Sequence, residues 1–335
     1  MRRVVFFCLA ALTSATAAPA AEWKLETLTA PARVMAVETV DGKVRINAGG
    51  LWYEFVPDAG KPWLRFIDKP EQPKLPEGAL PGSRVAVGTH DIARAWLAQP
   101  TERYDHGILG DRIEAGSLII ETRDGQRHEV KLDDDAVFED LEPRIADIDG
   151  DNHDDVVLVK SYLRRGSALA VIAERRGRYQ IVAETPPLGA PHRWLDPVGI
   201  ADFTGDGRND VAFVRQPHAV GMLELWTWSN GALHKAAEIP DAANHIAGTR
   251  AIDMSAVGHF DGDATADIAI PSLDRSRLRL ISFEPNPREI TSIALPAKAV
   301  TDFGLDRSGK NNAIVFGLAN GALAVVTPVK DPVAQ

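Results

Sequence analysis

Sulfur chemistry is almost absent from this chain. Cys8 is the only cysteine among 335 residues, and it lies in an apolar stretch near the N-terminus. A single cysteine excludes an intramolecular disulfide and the zinc and redox motifs that use paired cysteines. The sequence also lacks a Gly-rich phosphate loop, a Gly-x-Ser-x-Gly elbow and a His-Glu-x-x-His motif. Several common classes of enzyme are therefore excluded.

Long apolar runs are confined to the N-terminal end. Two arginines at positions 2 and 3, the apolar stretch 4–12 and the small residues 15–17 have the pattern of a secretory signal peptide, cleaved before Ala18 or at a site up to residue 21. This stretch is too short to span a bilayer, and no later one is longer. The sequence thus predicts a single mature domain, 18–335, that is periplasmic or secreted by a bacterium, with no membrane insertion.

Basic residues are outnumbered by acidic ones. The chain has 37 Lys and Arg against 47 Asp and Glu, a formal net charge of -10, and loss of the signal peptide makes the charge more negative. Because nucleic acids and anionic lipids attract proteins mainly through positive charge, neither is expected as a partner.

One nine-residue motif occurs three times, in residues 147–155, 202–210 and 259–267. In each copy, side chains with ligand atoms recur at alternate positions, an aspartate stands at the ninth position, and an apolar strand follows. This spacing is how a short loop wraps a hard cation such as Ca²⁺. The copies are about 55 residues apart, which is near the period of propeller blades.

The motif and the residues on either side of it resemble a known family. The most specific stretch is Val-Gly-Ile-Ala-Asp-Phe-Thr-Gly-Asp-Gly-Arg-Asn-Asp-Val-Ala-Phe-Val, residues 198–214, which is similar to the calcium-loop blades of the VCBS and FG-GAP repeat family. Integrin alpha-subunit propellers contain blades of this kind, but the resemblance here is to the bacterial secreted type. It covers roughly residues 140–328 and implies an all-β propeller of four-stranded blades with calcium loops.

Proline-containing joints divide the chain into six units, which predict a six-bladed β-propeller. The units span 32–69, 82–138, 141–185, 197–240, 249–296 and 298–328. The last unit lacks a fourth strand, and segment 22–31 resembles the fourth strands of other units, so this N-terminal strand is predicted to close the ring. A count of seven would require dividing the second unit around 102–114.

The Ca²⁺ ligands follow from the spacing. They are Asp147, Asp149, Asp151, the backbone carbonyl of His153 and Asp155 in the first loop, Asp202, Thr204, Asp206, Arg208 and Asp210 in the second, and Asp261, Asp263 and Asp267 in the third. The first loop is expected to bind most tightly because it has the most carboxylates. The third begins with His259, whose nitrogen a hard cation disfavours, so an ordinary Asp-Gly turn is an equal alternative there.

Strand alternation places these loops on one face and the remaining connections on the opposite face. The opposite connections are rich in side chains that bind ligands through polar contacts and rings. Those expected to converge on a site are Tyr104, His106, His192, Arg193, His218, Asn244, His245 and Arg250. Each also has an ordinary structural explanation as a solvated turn or a core position. A zinc site is a further alternative for the histidines, although their spacing matches no local metal motif.

A secreted, calcium-stabilised binding module is the favoured function, with a small ligand, glycan or protein bound on the opposite face. The alternative is a lyase or hydrolase acting on a carbohydrate or a phosphate-bearing substrate. In that enzyme His218 or His245 would be the base, Tyr104 the acid, and Arg193 or Arg250 the anion clamp. A scaffold that uses its outer rim is a third alternative. A deep cavity containing these groups would favour the enzyme.

Overall fold

The computed structural model describes residues 22–58, 61–71, 73–308 and 313–329. Within these ranges the chain forms strands, turns and irregular segments, without a helix. The same ranges accordingly hold no apolar helix of the length needed to cross a bilayer. The all-β class agrees with the sequence-based prediction, whereas the predicted signal peptide lies outside the described residues.

The described part of the chain contains 24 strands. They are β1 (Trp23–Leu28), β2 (Val34–Val40), β3 (Lys43–Ala48), β4 (Leu51–Val56), β5 (Trp63–Ile67), β6 (Ile92–Thr101), β7 (Glu114–Thr122), β8 (Arg127–Lys131), β9 (Ala136–Phe138), β10 (Arg144–Ala146), β11 (Asp155–Tyr162), β12 (Gly166–Glu174), β13 (Tyr179–Glu184), β14 (Leu195–Ala201), β15 (Asp210–Arg215), β16 (Met222–Ser229), β17 (Ala232–Pro240), β18 (Ala256–Gly258), β19 (Asp267–Pro271), β20 (Arg277–Ser282), β21 (Arg288–Ala294), β22 (Ala299–Asp306), β23 (Ala313–Leu318) and β24 (Leu323–Pro328).

These strands form antiparallel sheets, four of which have four strands each. We number the units in chain order: unit 1 is β2–β5, unit 2 is β6–β8, unit 3 is β10–β13, unit 4 is β14–β17, unit 5 is β18–β21, and unit 6 is β22–β24 with β1. Units 2 and 3, which the sequence predicts as separate blades, share one eight-stranded sheet. They join because β9 pairs with β11 and also meets β7 through Phe138 opposite Ala115.

The inner edge of unit 2 is irregular. Segment 79–86 meets β6 only through isolated bridges, Ala79 to Ala98 and Ala86 to Ala95. Pro81 lies inside this segment and has no N–H to donate to a ladder, which favours an interrupted edge. Unit 2 therefore reaches four strands only by counting this segment.

The N-terminal strand pairs with the last strand of the chain. β1 lies antiparallel to β24 from Trp23 opposite Pro328 to Leu28 opposite Leu323. The Trp23 indole N–H also donates to the carbonyl of Phe260 at 3.0 Å. Unit 6 thus takes its fourth strand from the other end of the chain, as the resemblance of segment 22–31 to fourth strands predicts.

Apolar clusters join most consecutive units. The strands alternate side chains between two faces, and the buried residues of facing sheets pack together at the junctions of units 2 and 3, 3 and 4, 4 and 5, 5 and 6, and 6 and 1. The remaining cluster, around Trp96, Ala98 and Ile119, contains residues from unit 2 and the segment before it only. Among the described residues, no apolar cluster joins unit 1 to unit 2.

Polar contacts between loops follow the same series of units. The Asn209 side chain donates to the carbonyl of Asp147 at 2.8 Å, and the Ala266 N–H donates to the carbonyl of Asp202 at 3.1 Å. Arg307 of unit 6 donates its side chain to unit 5 and its backbone N–H to Gly42 of unit 1. No hydrogen bond between described residues links unit 1 directly to unit 2, so we call this junction the seam.

A central cavity of about 640 Å³ lies where the first strands meet. It is lined by parts of β2, β10, β14 and β22, together with Arg84 and Asp253. Four-stranded antiparallel sheets whose first strands surround one axis are the arrangement of a β-propeller. The short connections then gather at the two ends of this axis, where both predicted sites lie.

Candidate functional site

The first acidic loop brings three carboxylates together. One oxygen each from Asp147, Asp149 and Asp151 lies within 4.8 Å of the other two. The loop holds this shape because the Asp147 carboxylate accepts hydrogen bonds from the N–H groups of Gly150 at 2.7 Å and Asn152 at 2.9 Å. Both residues have positive φ, which the Asp-Gly turn requires. Three adjacent carboxylates form a donor set that suits a hard cation.

The aspartate at the ninth position of each loop is buried and bonds to its own loop. Asp155 Oδ2 accepts hydrogen bonds from the N–H groups of Ile148 at 2.9 Å and Asp149 at 3.3 Å. Asp210 and Asp267 accept the two equivalent bonds in their loops. Burial raises the pKa of Asp155 to about 7, and the pKa values of Asp210 and Asp267 to about 6. These three predicted ligands thus direct one oxygen to the backbone.

An arginine contacts a carboxylate of every acidic loop. The pairs are Arg175 with Asp149, Arg208 with Asp206, and Arg288 with Asp261. Arg208 is one of the predicted ligand positions, and its guanidinium contacts Asp206 of the same loop at 2.7 Å. The guanidinium groups neutralise the same carboxylates that a cation would, so Ca²⁺ would have to displace or share them.

Some other predicted positions have partners within the chain. The Thr204 hydroxyl donates to Asp210 at 3.0 Å. His259 Nδ1 lies 2.6 Å from the carbonyl of Thr265, which can only accept, so this nitrogen carries the proton. The His153 N–H donates to Asp151 at 2.9 Å. In the third loop the His259 nitrogen is thus occupied by a backbone carbonyl, and weaker binding of a cation there stays a prediction.

At the other end of the units, which we call the histidine face, two imidazoles are hydrogen-bonded. His245 Nε2 lies 3.1 Å from the carbonyl of Thr249 and therefore donates to it. Neutral His245 then accepts at Nδ1, so His218 Nε2–H donates to it across 3.0 Å. Trp194 meets the His245 ring edge-on, with centroids 4.8 Å apart, and stacks at 6.2 Å from His218. This pairing leaves Nδ1 of the exposed His218 as an acceptor.

Both imidazoles are held in the neutral state. Partial burial is the main reason that the pKa of His218 falls to about 4. The hydrogen bond with His245 opposes this shift, and the charges of Arg275 and His106 add to it. Burial also lowers the pKa of His245 to about 3, with smaller effects from His218 and Arg275. The pair is therefore neutral at physiological pH, and it is a weak base.

A second aromatic group adjoins the first. The rings of Tyr104, His106 and His192 lie with centroids 5.0 to 5.7 Å apart. The His192 N–H donates to the Tyr104 hydroxyl at 2.8 Å. Tyr104 is buried, and burial followed by the charge of Glu139 raises its pKa well above the usual range. A buried phenol with a raised pKa is a poor proton donor to a ligand.

The remaining predicted residues of this face form hydrogen bonds with groups other than the rings. Arg250 donates to Asp111 at 2.8 Å and to the carbonyl of Pro81 at 2.9 Å. Asn244 is fully buried and donates to the carbonyl of Asp196 at 3.1 Å. Arg193 is exposed and donates only to the carbonyl of Leu188 within the described part of the chain. Asn244 and Arg250 are thus engaged by other parts of the chain, and the convergence of all eight residues on one site stays a prediction.

The loop between β6 and β7 crosses this end of the axis. Its Ile108 carbonyl accepts a hydrogen bond from the Gly248 N–H of the joint before unit 5, at 2.8 Å. None of the cavities that we identify among the described residues is lined by Tyr104, His218 or His245. Their rings pack against other rings of the same face.

Two participants in this surface carried no sequence signal. Glu139 is fully buried and bonds His106 Nδ1 at 2.5 Å, while its carbonyl accepts from the Trp194 indole at 3.1 Å. Arg275 has a buried terminal nitrogen, Nη1, without a hydrogen-bond partner among the described residues. Both come from connections far along the chain from the histidines, so only the arrangement of the units brings them close.

Comparison with known proteins does not place the chain in a family. No protein-family model and no curated protein matches it. Among solved structures it is similar to one described as a crystal structure of BBS1N in complex with ARL6DN, soaked with mercury. The TM-score is 0.45 at 12% identity, over 86% of this chain and 75% of that chain. At that level the likeness identifies no ligand, partner or activity for this chain.

Proposed function

We propose that this protein is a propeller binding module whose histidine face binds a partner carrying carboxylate, sulfate or phosphate groups. The observation that supports this is a set of arginines without acidic partners beside the aromatic rings. They are Arg164, Arg165, Arg193 and Arg275, none of which forms an ion pair within the described part of the chain. Guanidinium groups recognise such anions through paired hydrogen bonds.

The four arginines come from neighbouring connections. The Arg165 carbonyl accepts from the Gly189 N–H at 2.7 Å, and the Arg193 carbonyl accepts from the Ser167 N–H at 2.9 Å, which holds the unit 3 turn against the joint before unit 4. Arg275 is close enough to His218 for its charge to lower the pKa of that ring. In a chain of net charge -10, these arginines without acidic partners are positive groups that an anion can contact.

The aromatic surface suits binding better than catalysis. The imidazole pair is neutral at physiological pH, Tyr104 is buried, and the anion-clamp candidate Arg250 is already paired with Asp111. Contact with a partner requires only that exposed arginines and the free His218 nitrogen be presented on a rigid surface. The lyase or hydrolase alternative has no comparable support from the described cavities.

Anionic polymers test this proposal directly. Polygalacturonate, heparin and poly-glutamate would be titrated against the purified protein by calorimetry, with dextran and poly-glutamine as neutral counterparts. Binding of at least one anionic polymer, weakened by salt, is expected, and the comparison among the three distinguishes the carrier of the charge. Arg193→Gln and Arg165→Gln should each weaken binding about tenfold, which corresponds to roughly 1.4 kcal/mol.

Arg178→Gln is the matched control. Arg178 is also exposed and unpaired within the described residues, but it lies in the β12–β13 hairpin, next to Arg175 and the first acidic loop. Equal binding of charged and neutral polymers would overturn the proposal, as would an equal loss in Arg178→Gln.

We also infer that the acidic loops hold Ca²⁺ in a six-bladed ring of the VCBS and FG-GAP type, exported to the periplasm or beyond. The carboxylate cluster of Asp147, Asp149 and Asp151 supports the ion, since its donors are all oxygens. Six structural units and the pairing of β1 with β24 support the ring. In this reading Ca²⁺ supplies stability by linking the loop residues, and the chemistry of the histidine face is separate.

A further inference from the structure

Units 3 to 6 each place an acidic residue near the start of the first strand, around the central axis. These residues are Glu142, Asp196, Asp253 and Asp302. Three of them contact one guanidinium, that of Arg84, which lies 3.0 Å from Glu142, 3.9 Å from Asp302 and also bonds Asp253. The fourth, Asp196, has no such contact among the described residues.

Asp196 is buried without a partner. It is 1% exposed, and neither of its carboxylate oxygens has a hydrogen-bond partner among the described residues. Arg144, the nearest opposite charge, is bonded to Asp140 at 2.8 Å and to the carbonyl of Glu142 at 3.1 Å. A buried carboxylate that lacks both a hydrogen bond and an ion pair costs several kcal/mol, so this arrangement requires a further group.

A neighbouring amide oxygen has the same deficit. Asn244 is fully buried, and its Nδ2 donates to the carbonyls of Asp196 at 3.1 Å and Pro197 at 3.2 Å. Its Oδ1 has no partner among the described residues. Two neighbouring side chains thus offer three oxygen acceptors and no free donor. Protonation of Asp196 would supply only one hydrogen for these three acceptors.

The surroundings favour positive charge at this point. Burial raises the pKa of Asp196 well above its usual range. The charge of Arg144 lowers it, and the charges of Asp140, Asp253 and Asp302 raise it. Val198, two residues further along β14, lines the central cavity of about 640 Å³, which has room for water molecules. A cation with part of its hydration shell retained needs only one or two carboxylates from the protein.

We propose that Asp196 and Asn244 bind a partly hydrated divalent cation of the Mg²⁺ class beside the central cavity. This site is separate from the acidic loops and from the anion-binding surface. Asp196 supplies the charged ligand, Asn244 Oδ1 a neutral one, and water from the cavity the others. The bound ion would tie the joint before unit 5 to the first strand of unit 4.

Mn²⁺ is the probe, measured by electron paramagnetic resonance of the free ion. The acidic loops are first disabled with Asp149→Asn, Asp206→Asn and Asp261→Asn, so that they do not contribute. This parent should still bind one Mn²⁺ per molecule, in competition with Mg²⁺. Adding Asp196→Asn should weaken that binding at least tenfold, and so should Asn244→Ser, which gives a second variant if one of them fails to fold.

Glu38→Gln is the control, because Glu38 lines the same cavity but lies on β2 of unit 1. It should keep the bound Mn²⁺. The proposal fails if the parent binds no Mn²⁺, if Asp196→Asn and Asn244→Ser bind it as the parent does, or if Glu38→Gln loses it equally. The last result would mean that the ion responds only to the total charge of the cavity.

Discussion

On the scale of single residues, hydrogen bonds fix which groups of the histidine face are free. Thr249 accepts from His245, His245 accepts from His218, and the exposed His218 nitrogen is left for a ligand. Arg275 adds a positive charge beside both rings. The pair is thus hard to protonate, and its protonation lowers the stability of the folded state.

The imidazole pair should make the protein less stable in mild acid. The folded pKa values, about 4 for His218 and about 3 for His245, lie below the ordinary histidine value of 6.5. The unfolded chain therefore binds more protons below pH 6.5, and this contribution to stability is lost as the pH falls from about 6.5 toward 4. Replacing both with glutamine should reduce the loss between pH 7 and 4.5 by about 1 to 2 kcal/mol, allowing for solvent screening at His218.

Urea unfolding of the wild type and the double variant at both pH values measures this difference. The comparison is needed because buried carboxylates such as Asp302, whose pKa burial raises to about 7, act in the opposite direction. Glutamine at the exposed His234 is the control. Parallel pH profiles for the wild type and the double variant would contradict the assignment.

On the scale of elements, β1 shows how strongly unit 6 depends on a distant segment. Its side chains Trp23 and Leu25 are part-buried against the cluster between units 5 and 6. The Trp23 ring also meets Phe260 edge-on at 5.5 Å. Without β1, β24 would become the exposed edge strand of the sheet, next to the buried strand β23.

A chain that starts at Ala32 should be clearly less stable than the mature protein. It loses six paired residues and four part-buried apolar side chains, those of Trp23, Leu25, Leu28 and Ala30, an effect of about 3 kcal/mol or more. Calorimetric melting would measure the loss, with Lys24→Ala, an exposed position on the same strand, as the control. An unchanged melting temperature on truncation would mean that β1 adds nothing to the stability of unit 6.

On the scale of the whole molecule, the units form a series with one weak junction. Five junctions have apolar clusters, whereas the seam between units 1 and 2 has none among the described residues. Near the axis Arg84 connects unit 2 to acids of units 3, 5 and 6. The loops 147–155, 202–210 and 259–267 add contacts between consecutive units at the periphery of this axis.

Calcium should therefore stabilise the assembled molecule. Chelation should lower the melting temperature and added Ca²⁺ should restore it, since an ion at 100 times its dissociation constant adds about 2.7 kcal/mol. Asp149→Ala should respond less. Arg175→Gln should respond more than the wild type, because the guanidinium that contacts Asp149 is removed.

Arg178→Gln, in the same hairpin, serves as the control for the arginine variant. Identical melting temperatures with and without chelator would contradict the calcium hypothesis. An unchanged response in Arg175→Gln would mean that the arginine and the ion do not compete.

Features that arise within one unit were readable in the amino-acid sequence. The acidic loops span nine residues and their hydrogen bonds are local, so residue spacing alone predicts both the turn and the carboxylate cluster around Asp149. Strand order within a unit and the pairing of segment 22–31 also follow from patterns that repeat along the chain.

Features that join distant parts of the chain depended on tertiary structure. The contact of Arg175 with Asp149 spans 26 positions, and that of Arg84 with Asp253 spans 169. No spacing rule covers such distances, because they depend on how the sheets are placed around the axis. Three further features are of this kind: the unpartnered Asp196, the seam, and the contacts among the rings of the histidine face. They form only after the units have packed.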